Sequence, residues 1–116
     1  MEAGSLKILV GTSPRHVDRA KDTILSELSR LKEKKISRKE LSRAKRFLLG
    51  LYEIKTQTNQ SKASRFAYHE ALGLGADFST RFPGEIRKIT CDDVLRMARK
   101  YLDLQRYSLS LILPLN

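Results

Sequence analysis

Two histidines, His16 and His69, and one cysteine, Cys91, are the side chains best suited to metal or nucleophilic chemistry in this 116-residue chain. Zinc hydrolysis on a helix needs two histidines at matching spacing and a carboxylate that activates water. Neither histidine has a second one at helical spacing, and His69-Glu70 stands without such a partner. A general base also needs a group that orients it, so an exposed or hydrogen-bonded role is the simpler reading of both. Cys91 follows Thr90 at an apparent helix start, where the helix dipole favours a thiolate. No histidine lies near it in sequence, and plain packing is the simpler role. A single cysteine excludes an internal disulfide and a cysteine cluster for zinc. No catalytic, metal or cofactor residue is therefore assigned to this segment. One binding feature remains, a basic run between Lys32 and Arg46. Lys34, Lys35, Arg38 and Lys39 form its candidate patch for an acidic partner.

The elements that would carry these residues can be read from spacing. Ser37 and Glu40 have the S-x-x-E spacing of a capping box, with Ile36 and Leu41 placed as a hydrophobic staple. Leu41, Ala44, Phe47, Leu48 and Leu51 then recur as an apolar stripe, so a helix begins near Arg38. Close helix packing is the expected reason for Gly50 within it. An earlier helix is expected from Pro14 to about Lys34, with Ser13 as N-cap and Val17, Ala20, Ile24, Leu25, Leu28 and Leu31 inward. After a polar break near Lys55 to Ser61, Ala63, Phe66, Ala67, Glu70, Ala71 and Leu74 restore a helical pattern, which Gly73 and Gly75 end. Phe78, Phe82, Ile86 and Ile89 mark a short helix, in which Pro83 is the weak point. Thr90 and Asp93 open another, with Val94, Met97, Ala98 and Tyr101 inward. Phe47, Phe66, Phe78 and Phe82 read as core. Alternation over Leu6 to Thr12 and over Tyr107 to Leu113 predicts a strand at each end.

Hydrophobic residues make up 41% and charged residues 31%, a globular composition. No apolar run approaches the roughly 20 residues that cross a bilayer, and the first residues do not resemble a signal peptide, so the expected location is cytoplasmic. The net charge of +10 raises nucleic-acid binding. Basic residues interleaved with Asp and Glu, and the lack of an RNA-binding motif, favour solvated helix faces.

The order strand–helices–strand, with Leu6-Lys7-Ile8-Leu9-Val10-Gly11-Thr12-Ser13-Pro14, Ile36-Ser37-x-x-Glu40-Leu41-x-x-Ala44-Lys45, Leu72-Gly73, Ile89-Thr90-x-Asp92-Asp93-Val94, Ala98-x-Lys100-Tyr101-Leu102 and Leu111-Ile112-Leu113-Pro114, resembles the C-terminal part of insulinase/pitrilysin-type zinc metallopeptidases, the group that includes mitochondrial processing peptidase. The resemblance implies an α+β fold, a split α/β sandwich fragment with helices packed on a small sheet, and residues 1–116 as one partial domain. It implies a non-catalytic segment of a zinc metalloendopeptidase, or of its inactive partner subunit, that helps enclose a peptide chamber. The family's His-x-x-Glu-His motif is absent here, so zinc is expected in the parent or partner chain, and this segment is expected to be inactive alone. The family's substrate-holding Arg and Tyr precede the matched segment, and Arg106-Tyr107 does not stand at their position. The implied partners are a peptide substrate, and a catalytic domain, partner subunit or second copy that completes the sheet. The alternative is a small basic helical module that binds nucleic acid or an acidic protein.

Overall fold

The structure, a computed structural model, describes residues 4–114. Among these residues five α-helices and one short 3-10 turn, Pro14–His16, account for all regular structure: α1 Val17–Glu33, α2 Arg38–Lys55, α3 Asn59–Ala71, α4 Phe78–Lys88 and α5 Cys91–Tyr101. The chain divides into two compact units. Residues 36–91 form one, with α2, α3 and α4. Residues 4–35 and 92–114 form the other, with α1 and nearly all of α5.

In the middle unit the helix boundaries follow local chemistry. Ser37 caps α2 as expected: its hydroxyl accepts from the Glu40 N–H at 3.1 Å, and the Glu40 carboxylate accepts from the Ser37 N–H at 2.9 Å. The polar break is only three residues long, because Thr58 caps α3 by accepting from the Ser61 N–H at 3.1 Å. The end of α3 is a Schellman motif. Leu74 N–H donates to the His69 carbonyl and Gly73 N–H to the Glu70 carbonyl, both at 2.9 Å. Gly73 sits there at φ 72°, a conformation that strains any residue with a Cβ.

The faces of these helices differ from the expected ones. In α2 the more covered positions are Leu41, Lys45, Leu49, Gly50, Leu51, Tyr52 and, just beyond its end, Thr56. Phe47 and Leu48 are exposed, Phe47 by 68%. Of the stripe read from sequence, Leu41 and Leu51 are therefore covered, while Ala44, Phe47 and Leu48 in its middle turns face outward, and Phe47 is not core. In α3 the covered row is Ser61, Arg65, His69 and Leu72, whereas Phe66 and Ala67 are exposed. Only α4 packs as read, through Phe78, Phe82 and Ile86, with Ile89 following. Gly50 is not a packing glycine, since a Cβ there would meet nothing within 4 Å.

In the second unit, Val17, Ala20, Ile24, Leu25, Leu28 and Leu31 are the half-buried side of α1, as expected. Its first turn differs: Ser13 makes no side-chain cap, and its hydroxyl bonds the ring Nδ1 of His16 at 3.0 Å. In α5 the covered residues are Cys91, Asp93, Val94, Leu95 and Ala98, while Met97 and Tyr101 are exposed. The C-terminal ends of α1 and α5 are capped reciprocally. Arg99 donates to the Lys32 carbonyl at 2.9 Å, and Lys32 Nζ donates to the Leu102 carbonyl at 2.6 Å.

The expected α+β sandwich is overturned, because no strand and no sheet occurs among the described residues. Residues 6–12 and 107–113 keep the two-residue rhythm in their exposure. Ile8 and Val10 are 46% and 52% exposed around Leu9 at 89%, and Leu111 and Leu113 are 52% and 56% exposed around Ile112 at 99%. A strand requires a neighbour that exchanges backbone hydrogen bonds with it. Alternating side chains alone do not provide one, and these segments make no ladder among the described residues.

Little of the chain is buried. Ile86 and Ala98 are the buried hydrophobic residues among those described. No helix among the described residues is long and apolar enough to cross a membrane.

Candidate functional site

The most built-up polar arrangement lies in the middle unit and begins with Pro83. A proline at the sixth position of α4 has no N–H to give to the carbonyl four residues back, that of Ser79. The Tyr52 hydroxyl, reaching over from α2, donates to that carbonyl instead. The Tyr52 ring stacks on Phe82 at 4.8 Å between centroids. The Ser79 side chain faces α3, where its hydroxyl meets His69 Nδ1 at 3.0 Å. Both Ser79 and His69 are buried, and the His69 ring packs edge-on against Phe78 at 4.9 Å. One backbone carbonyl and one hydroxyl of the same serine thus tie α2 and α3 to α4.

A serine beside a histidine invites comparison with a nucleophile and its base. The comparison fails on geometry. Among the described residues no carboxylate accepts from the second ring nitrogen. A catalytic pair requires an orienting third group. The contact is a satisfied buried hydrogen bond.

Next to it a cleft of about 300 Å³ opens. Tyr52 and Thr56 line it from α2 and the residue after it, Lys62, Arg65 and Phe66 from α3, and Ser79, Thr80 and Pro83 from α4. The Arg65 guanidinium lies over the Tyr52 ring, 4.6 Å from its centroid. No acidic residue lines the cleft. Thr56 turns its hydroxyl onto the Tyr52 and Glu53 carbonyls at 2.6 and 3.2 Å, which covers the negative end of α2. Sequence reading missed this cleft, because Arg65 sits in the stretch read as an apolar helix face and Lys62 just before it. The available signal was Pro83, whose presence in a helix leaves the Ser79 carbonyl without its usual donor.

The residues singled out from sequence fall elsewhere. His16 is exposed against Ser13. Cys91 is a free, half-buried thiol at the first position of α5. Lys34 and Lys35 close one unit, while Arg38 and Lys39 open α2 in the other; all four are exposed. Lys35 is paired with Asp92 at 2.6 Å. Among the described residues no group of three or more His, Cys, Asp or Glu side chains converges. Outside the cleft, a turn after α5 is held by Asp103, which accepts from Arg106 Nε at 2.8 Å and from the Gln105 N–H at 2.9 Å. These bonds hold the Asp103 carboxyl below its usual range, and the same pairing raises Arg106. The Lys88 ammonium does the same to Glu85 at 2.8 Å.

No family model, curated protein or solved structure matches the chain.

Proposed function

We propose that this chain is a non-catalytic segment of an insulinase-type zinc metalloendopeptidase, or of its inactive partner subunit, and that it lends wall surface to a peptide chamber. The observation that carries the reading is the unburied apolar surface. Leu6, Ile8, Leu9 and Val10 near one end, and Tyr107, Leu109, Leu111, Ile112 and Leu113 near the other, are all exposed. Side chains of this kind are stabilised by about 25 cal/mol per Å² when covered, so further polypeptide is their expected cover. The order and spacing of the motifs quoted above supply the family. The zinc chemistry belongs to the parent or partner polypeptide.

The test is complementation. The chain is mixed with an insulinase-type polypeptide that carries His-x-x-Glu-His but lacks its own C-terminal half. The expected outcome is a co-eluting complex that cleaves a fluorogenic peptide in a zinc-dependent manner, with neither part active alone. Failure to co-elute, or stoichiometric zinc bound by this chain alone, overturns the reading.

A further inference from the structure

We propose that the cleft between α2, α3 and α4 binds a small organic carboxylate borne on an apolar body. The assignment does not depend on the peptidase reading. Lys62, Arg65 and Phe66 stand at i, i+3 and i+4 of α3, so they share one face of that helix. Two like charges at that spacing repel, and an anion between them relieves the repulsion. Neither cation has a carboxylate partner among the described residues, and no acidic residue lines the cleft to compete with an incoming anion.

The shape of the site selects the anion. Arg65 places its guanidinium carbon over the Tyr52 ring, and a guanidinium carries five N–H donors in a fixed fork. Those donors make no hydrogen bond among the described residues and suit a planar, two-oxygen acceptor, which carboxylate geometry meets bidentately. Lys62 supplies a point charge, and Thr80, from the first turn of α4, a hydroxyl that makes no hydrogen bond among the described residues. The rest of the wall near these groups is Tyr52, Phe66 and Pro83, an apolar surface suited to a ring or a branched chain. A fully hydrated inorganic anion would leave that surface uncovered.

NMR titration of the full chain tests the assignment. N-acetylphenylalanine is expected to shift the amide signals of Lys62, Arg65, Phe66 and Thr80 in a saturable way. N-acetylphenylalaninamide, which lacks the charge, is expected to bind at least about tenfold more weakly. Lys62→Gln and Arg65→Gln are each expected to weaken binding by about tenfold, and Arg46→Gln, outside the cleft, to leave it unchanged. Benzoate binding as tightly as N-acetylphenylalanine assigns the site to free acids, and a clear preference for N-acetylphenylalanine assigns it to a peptide's terminal carboxylate. Equal binding of acid and amide overturns the proposal, as does inorganic phosphate shifting the same signals at equal concentration. The ligand series uses the unsubstituted chain, so it decides the matter even where a variant unfolds.

Discussion

Ser79 concentrates most of what is specific about the middle unit. Its carbonyl, freed by Pro83, depends on the Tyr52 hydroxyl, and its own hydroxyl satisfies His69. Tyr52→Phe removes the donor and leaves a buried carbonyl unpaired, which should cost about 1–3 kcal/mol in urea unfolding. Pro83→Ala restores the N–H within α4, so the same Tyr52→Phe change should cost less in that background. A double-mutant cycle that shows simple additivity would sink this account. Ser79→Ala leaves His69 Nδ1 without its partner and should also cost about 1–3 kcal/mol. At the second unit's turn, Asp103 has a folded pKa below its unfolded one. Its bonds are therefore fully present above the ordinary carboxylate range and are lost as pH falls through the folded value. The Gln105 amide signal in NMR should move with a midpoint below about pH 4, and Asp103→Asn should abolish that titration.

The helices were legible where caps and stops are local. Ser37 with Glu40, and Gly73 after α3, act as their residue types dictate, within four residues of one another. Glu40→Ala should cost about 0.5–2 kcal/mol, and Gly73→Ala about 1 kcal/mol through strain at positive φ. Gly50→Ala should do the opposite, raising stability by about 0.5–1 kcal/mol, because the added methyl meets open space in mid-helix. Thermal unfolding of the three variants separates these signs. Helix faces were less legible. In α3 the row Ser61, Arg65, His69 faces inward, since Ser79 satisfies the histidine and Tyr52 receives the guanidinium. Hydrophobic periodicity does not register a polar face whose partners lie ten or more residues away. The cleft built on those partners was hidden for the same reason. The end strands were misread because alternation specifies side-chain direction and says nothing of who supplies the ladder.

At the scale of the whole molecule, the basic balance has a partly internal explanation. Lys32, Arg99 and Lys45 each donate to a carbonyl in or just after a helix's last turns, the last of them to Arg87 at 2.7 Å. Cations at those positions complement helix dipoles, so part of the +10 charge is structural. The small number of buried residues among those described leads to a further expectation. Unfolding uncovers less new area than in a compact chain of equal length, and the urea m-value should be correspondingly low. A bound partner that covers residues 6–12 and 107–113 should slow hydrogen exchange there, while the slowest amides of the free chain should be those around His69 and Ile86.

The unit built from residues 4–35 and 92–114 is discontinuous, with the other unit spliced into its middle. On the ribosome, α1 emerges first but lacks Arg99, the side chain that covers the Lys32 carbonyl, until the end of α5 has left the exit tunnel. The middle unit, continuous in sequence, can form meanwhile. Translation thus leaves the half-apolar side of α1 waiting over more than half the chain, and a chaperone that binds amphipathic helices would find its opening in that interval.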